Sequence, residues 1–262
     1  MFTSYCIWVL TACCEYSRTA RRQCNQADII GDERSCLIKP ARHFLILVFL
    51  FAVWSVQGQT PTTADEYLAR GAARHSKGDL DGAISDYTRA IEIDPRDANA
   101  YDRRGEARRA KGDLDGAIAD STKAIEIDQR TVGSYITRGL ARRKKGDLDG
   151  AIADYTKSIA IDSNYADGYN ALAWLLATAS RDSIRDGKKA VEFARKAAEL
   201  TKWEDANVLD TLAAAYAEVG DFEEAIKWEN KALSLPELTK GDEEKVRQRL
   251  RLYAERKRYR QP

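Results

Sequence analysis

The sequence predicts an all-α fold, a solenoid of about five stacked helical hairpins closed by a C-terminal capping helix. The first observation is an internal repeat. The motif Lys-Gly-Asp-Leu-Asp-Gly-Ala-Ile at 77–84 returns at 111–118 and at 145–152, each time after 34 residues. The second is that apolar residues between these motifs follow the period of an α-helix. A repeat of this length is typical of proteins that stack one supersecondary unit many times.

Each repeat carries signals for two helices, A and B. In the first unit we predict helix A over 64–76 and helix B over 80–93, because small and apolar residues lie at helical spacing in both segments. Between them, Gly78 suits the left-handed end of one helix and Asp79 can cap the start of the next. Pro95 predicts the end of the unit, since proline disfavours helix in the residue before it.

The repeat domain is predicted to span 59–238 and to be followed by a capping helix and basic tail at 239–262. The fourth unit is five residues longer than the period, and we place the extra residues in the turn around 180–187. A capping helix is expected because the last unit of a solenoid would otherwise expose its apolar side. The five units lie at 64–97, 98–131, 132–165, 166–205 and 206–238.

The period and the recurring positions resemble the tetratricopeptide-repeat family, in its bacterial exported form, over about residues 64–235. The positions that carry the likeness include Tyr67, Tyr101 and Tyr135, each at the same place in helix A. The resemblance implies a right-handed superhelical solenoid whose A helices line a concave face. It also implies a scaffold or adaptor that binds a peptide or protein segment on that face and does not catalyse a reaction.

The segment 37–58 has the pattern of an export signal. Its apolar core at 44–56 has 13 residues, fewer than the roughly 20 that span a bilayer. A basic flank and small residues near Gly58 complete the signal pattern. We interpret it as a signal peptide cleaved near Gly58, which gives a periplasmic or secreted product. The alternative is an uncleaved anchor in the inner membrane, and hence membrane association through 44–56.

Residues 1–36 differ from the rest of the chain. They hold all five cysteines and show neither repeat nor helical periodicity. We expect them to be poorly structured and to precede the natural start of the protein.

Composition argues against several classes of function. The formal net charge of +1 is unlike that of an obligate nucleic-acid binder, and no nucleic-acid partner is expected. Beyond residue 43 the chain has one histidine, His75, and no cysteine, which disfavours nucleophilic and metal sites. No catalytic residue, metal or cofactor is therefore predicted. Two alternatives remain beside an exported adaptor, namely a membrane-anchored adaptor in envelope assembly and a non-catalytic regulatory subunit of an enzyme.

An enzyme site is the rival hypothesis from another class. It would be built in the irregular fourth unit from Trp174, Arg181, Asp182 and Arg185. Aromatic residues in such a place are more often core than cofactor contacts.

The charge pattern predicts both structural pairs and a binding surface. The arginines that recur in helix A are expected to pair with the recurring acids of helix B, Asp86, Asp120 and Asp154. These arginines are Arg70, Arg74, Arg104, Arg108, Arg138 and Arg142. Basic residues outside that pattern are better candidates for contact with a partner that has acidic segments. With Asp102, the predicted ligand-binding residues of the concave face are Arg103, Glu106, Arg109, Ile136, Leu140, Arg143 and Lys144.

Overall fold

A computed structural model describes residues 61–236 and 238–261. These residues form eleven α-helices and no strand, which confirms the predicted all-α array of stacked hairpins. The predicted signal segment at 37–58 and residues 1–36 lie outside the described residues. Among the described helices, none has the length and apolar character needed to cross a membrane.

The helices pair in chain order as hairpins. A short 3-10 helix, Asp182–Ile184, lies in the connection inside the fourth hairpin. The helices are α1 (Ala64–Ser76), α2 (Leu80–Ile93), α3 (Ala98–Lys111), α4 (Leu114–Ile127), α5 (Val132–Lys144), α6 (Leu148–Ile161), α7 (Ala166–Thr178), α8 (Gly187–Leu200), α9 (Ala206–Val219), α10 (Phe222–Ser234) and α11 (Lys240–Ala254). The odd-numbered helices α1 to α9 are the first helices of units one to five, and the even-numbered helices are the second.

The turn inside each regular unit is fixed by a glycine and an aspartate. Gly78 has φ of +80°, a left-handed conformation that glycine adopts without steric cost. The side chain of Asp79 then accepts a hydrogen bond from Gly82 N at 2.9 Å and caps α2. Gly112 with Asp113 and Gly146 with Asp147 repeat the arrangement in units two and three.

Close packing within a hairpin depends on small residues. Gly71 on α1 lies against the Tyr87 ring, and a Cβ placed there would come within 2.6 Å of Tyr87 Cε1. Gly139 and Tyr155 repeat this contact in unit three. In unit two the ring is replaced by Ser121, a buried serine whose hydroxyl has no partner in the described part of the chain.

Neighbouring units are joined by helix packing and by ion pairs at the turns. Successive first helices pack against one another from α1 to α9, which makes them the inner side of the array. At the turns, a cation of one unit pairs with an aspartate at the start of the preceding second helix. The pairs are Lys111 with Asp81, Lys145 with Asp115 and Arg181 with Asp149.

The fourth unit departs from the period between α7 and α8. The longer connection runs from Ala179 to Asp186 and includes the 3-10 turn. Arg185 stabilises it, because its guanidinium donates to the carbonyl oxygen of Ala179 at 2.8 Å. The largest apolar cluster of the described chain surrounds this region and includes Leu172, Leu175 and Leu212.

The capping helix α11 packs on the fifth unit through both apolar and charged groups. Val246 and Tyr253 are buried. Arg249 donates from Nε to Asp210 Oδ1 at 2.7 Å, and its Nε lies 3.5 Å from Glu229 Oε1. Burial raises the pKa of the Glu229 carboxyl to about 10, and the nearby Asp210 adds to the shift. Burial raises the pKa of the Asp210 carboxyl as well, and the charge of Arg249 opposes that rise.

Candidate functional site

The recurring arginines are engaged inside the fold, as their pattern predicted. In unit two, Arg104 donates from Nη2 to Asp120 Oδ1 at 2.7 Å and from Nε to Asp120 Oδ2 at 2.8 Å. Arg108 Nη1 donates to the same Oδ2 at 2.8 Å. Asp120 is only 4% exposed. Units one and three place Asp86 between Arg70 and Arg74, and Asp154 between Arg138 and Arg142.

These pairs also join consecutive units. Arg104 Nη1 donates to Thr88 Oγ1 of the preceding unit at 3.2 Å, and Arg138 Nη1 donates to Thr122 Oγ1 at 3.3 Å. The second arginine of each unit also lies within ion-pair distance of the capping aspartate, as Arg108 Nε lies 3.7 Å from Asp113 Oδ2. Two carboxylates therefore balance the two arginines, and the group adds little net charge to the inner surface. The charge of that surface therefore comes from the residues that do not recur.

Two arginines of this second kind, Arg109 and Arg143, act electrostatically on the same phenol. Burial raises the pKa of Tyr155 to about 12, and the charges of both arginines oppose the rise. Within the described residues, no carboxylate lies within ion-pair distance of either arginine, and Arg109 Nε is buried with no hydrogen-bond partner. Lys144 lies next along α5 and is exposed.

The acidic candidates lie one and two turns earlier on α3. Arg103 and Glu106 form an exposed pair at 3.8 Å, and their charges act on the phenol of Tyr87. Asp102 accepts a hydrogen bond from Ser134 Oγ at 2.7 Å. Burial raises the pKa of the Asp102 carboxyl, and this hydrogen bond opposes the rise.

The two apolar candidates are placed differently from the charged ones. Ile136 is 7% exposed and belongs to the core, where its Cδ1 approaches the backbone of Gly168. It is a packing residue, because the next unit covers its side chain. Leu140 is half-buried and packs against the same cluster.

Comparison with known proteins places the chain in a family. A model described as "TPR repeat" matches residues 71–108 and 139–178, and one described as "Tetratricopeptide repeat" matches 98–131 and 206–237. The chain belongs to the tetratricopeptide-repeat family. A search of curated proteins finds no significant match.

Solved structures agree with this tetratricopeptide-repeat fold. The MamA protein is 26% identical, with a TM-score of 0.51, over 71% of this chain and 94% of that chain. The thermophilic TPR protein TTC0263 of Thermus thermophilus is 20% identical, with a TM-score of 0.58, over 74% and 98%. A chain of the APC/C hetero-tetramer Cut9-Hcn1 is 21% identical, with a TM-score of 0.64, over 73% and 36%. The last two show the fold alone.

The four residues of the rival enzyme site are used in structural contacts of this tetratricopeptide array. Arg181 pairs with Asp149 at 2.8 Å, while Arg185 pairs with Asp182 and, at 3.1 Å, with Glu218. Trp174 packs on Tyr259. The described residues contain no group of three histidine, cysteine, aspartate or glutamate side chains placed to hold a metal ion.

Sequence reasoning missed the inner surface of units four and five. There Trp174 and Glu218 contact the C-terminal tail, residues 255–261. The repeat gave no signal for this contact, because the tail has no counterpart in any unit. The one available hint was the basic composition of the tail beside Glu218, an isolated acid at the end of an apolar helix.

Proposed function

We propose that the chain is a protein interaction scaffold that binds an acidic peptide or protein segment on the inner surface of units two and three. Membership of the tetratricopeptide-repeat family supports the role of scaffold. The absence of a carboxylate within ion-pair distance of Arg109 or Arg143, in the described part of the chain, supports the acidic ligand. Guanidinium groups bind carboxylates in a bidentate geometry, and a partner's carboxylates would balance these two charges.

The charge of the inner surface changes along the helix axes. On α3, the order Asp102, Glu106, Arg109 runs from acidic to basic at helical spacing. On α5, the basic end continues with Arg143 and Lys144. A ligand is therefore oriented by charge, with its acidic groups at the C-terminal ends of the first helices. Asp102 disfavours acidic groups at the other end, where Glu106 is paired with Arg103.

The test compares the full natural chain with Arg109→Glu/Arg143→Glu. The matched control, Arg89→Glu/Lys123→Glu, makes the same change in net charge on exposed side chains of α2 and α4. Binding of a fluorescein-labelled oligoglutamate peptide is measured by anisotropy, and folding by circular dichroism. We expect about a tenfold or greater loss of affinity in the first variant, a difference of roughly 1.4 kcal/mol, and little change in the control. Equal affinity for the natural chain and the first variant would sink the proposal.

We further propose that the scaffold acts outside the cytoplasm, with 37–58 as the export signal. The support is the short apolar core with its basic flank. Mass spectrometry of the N-terminus from cells is expected to find a chain that begins after Gly58. An intact segment that keeps the protein in membranes after a high-salt wash would favour the anchor instead.

A further inference from the structure

The C-terminal tail turns back on the array just after the capping helix. Arg256 has φ of +58°, a left-handed conformation that residues with a β-carbon rarely adopt. The turn is closed by hydrogen bonds from Arg256 N to Tyr253 O at 2.9 Å and from Lys257 N to Leu252 O at 2.8 Å. The chain then runs over the first helices of units four and five.

Aromatic and main-chain contacts hold the end of the tail. The rings of Tyr259 and Trp174 lie 5.9 Å apart, and the guanidinium of Arg249 lies within 5.5 Å of both ring centres. Gln261 N donates to the carbonyl oxygen of Thr178 at 2.8 Å. In the orientation that satisfies both partners, the side-chain oxygen of Gln261 accepts hydrogen bonds from Trp174 Nε1 and, at 3.2 Å, from Arg143 Nη1.

Charge complementarity holds the middle of the tail. The Glu218 side chain is 11% exposed, and its Oε2 lies 2.7 Å from Arg260 Nη1 and 3.9 Å from Arg258 Nε. Arg185, within the array, pairs with its Oε1 at 3.1 Å. The tail thus brings two cations to a carboxylate that is nearly removed from solvent, where such a pair is stronger than at an exposed site.

The tail is held by aromatic packing, by ion pairing with a buried carboxylate and by a main-chain hydrogen bond. Grooves that bind extended peptides use contacts of these kinds. We propose that the surface formed by Trp174, Thr178 and Glu218 is a second docking site, which takes a peptide segment with tyrosine followed by arginine. The tail at 256–261 is its resident ligand, and a partner segment of the same chemistry displaces it.

The tail is suited to displacement. Residues 256–258 are exposed, and only Tyr259, Arg260 and Gln261 are half-buried. Terminal segments with few buried contacts open far more readily than the core. The ligand chemistry is opposite to that of the acidic-peptide surface. Arg143 contacts the tail as well, so the two sites are tested separately through Arg109.

The experiment supplies the tail in trans. A fluorescein-labelled peptide with the sequence of 254–262 is titrated by anisotropy into the full natural chain and into Tyr259→Ala/Arg260→Ala, whose own tail is weakened while the surface is intact. We expect the variant to bind about tenfold tighter, because a docked tail lowers the apparent affinity by the fraction of open sites. The control, Arg251→Ala/Lys257→Ala, removes two exposed cations and should bind like the natural chain.

Three further measurements locate the contact. Adding Glu218→Gln to the released variant is expected to abolish the gain, with urea unfolding as the check on folding, since Arg185 also uses this carboxylate. Arg109→Glu should leave binding of the tail peptide unchanged, whatever it does to oligoglutamate. A tail peptide in which alanine replaces the tyrosine should not bind.

Three results would overturn the inference. One is equal affinity of the peptide for the natural chain and the released variant. Another is equal binding of the released variant to oligoglutamate and to the tail peptide. The third is a natural chain that forms dimers which the peptide dissociates, because the tail would then dock on a second copy rather than on its own array.

Discussion

In units one to three, the first helix places an arginine beside an aspartate of the second helix, as Arg138 lies beside Asp154. In units four and five, the corresponding places hold Leu172 with Phe193 and Leu212 with Trp228. All four apolar residues belong to, or pack against, one cluster. The same hairpin is thus closed by an ion pair in one half of the array and by apolar contact in the other.

The difference shows that the ion pairs are one of two workable solutions for closing this hairpin. A buried pair must recover the cost of removing both charges from water, and apolar residues of similar size are often equally or more stabilising. What the pairs add is specificity, since a buried aspartate accepts arginines in one register only. A buried carboxyl group reappears in unit five at Glu229, at the place of Tyr155, but it lies beside Arg249 of the capping helix.

The largest effect is expected from breaking one ion pair. Asp120→Ala leaves Arg104 and Arg108 without their carboxylate, and we expect the free energy of unfolding to fall by about 3–5 kcal/mol. Urea unfolding followed by circular dichroism measures it. Asp115→Ala, at an exposed position, is the matched control, with a loss below about 1 kcal/mol. Equal losses in both variants would show that the pair contributes no more than a surface charge.

The apolar solution can be transferred to unit two. Arg104→Leu/Arg108→Leu/Asp120→Phe copies unit four and should restore stability to within about 1 kcal/mol of the natural chain. The same urea titration measures it. A triple variant as unstable as Asp120→Ala would mean that the two halves are not interchangeable.

The next largest effect is on the pH dependence of stability, through the buried carboxyl of Glu229 in unit five. Unfolded Glu229 ionises near its ordinary pKa of 4.5, whereas the folded chain keeps the proton up to a pKa of about 10. Stability from this group is therefore complete below the unfolded value and falls as pH rises through this window, by up to about 1.4 kcal/mol per pH unit. Glu229→Gln removes the titration. Its unfolding free energy should exceed that of the natural chain by more at about pH 9 than at about pH 6, and parallel curves would contradict the buried proton.

Glycine packing gives a smaller difference between units. In Gly139→Ala, the new Cβ would lie 2.5 Å from Tyr155 Cε1, and overpacking of this kind costs about 1–3 kcal/mol. In Gly105→Ala, the nearest atom is Ser121 Oγ at 3.1 Å, so the gain in helix propensity of up to about 1 kcal/mol decides the sign. Thermal unfolding of the two variants should shift in opposite directions. A destabilised Gly105→Ala would show that unit two is packed as tightly as unit three.

The smallest effects are expected at the exposed pairs between units. Lys111→Ala, Lys145→Ala and Arg181→Ala should each lower the unfolding free energy by less than about 1 kcal/mol. Salt should reduce these losses further. If Arg181→Ala alone costs much more, the irregular fourth unit depends on its pair with Asp149 more than the regular units depend on theirs.

Periodicity explains which features the sequence could predict. Helix positions, the Gly78 turn and the pairing of Arg104 with Asp120 repeat every 34 residues, so one argument covers three units. The burial of Ile136 could not be predicted, because it depends on the next unit, which has left the pattern. The tail on Trp174 could not be predicted, since its contacts occur once and join residues far apart in sequence.

The contacts from Arg104 to Thr88 and from Arg138 to Thr122 are identical in kind and 34 residues apart. A duplicate of 98–131 inserted after unit two would find the threonine before it and the arginine after it that these contacts need. Gene duplication can therefore lengthen the array within units one to three without loss of the arginine–threonine contacts. Thr156, the next threonine of the series, faces the unit where the arginine has become Leu172, so growth by copying stops there.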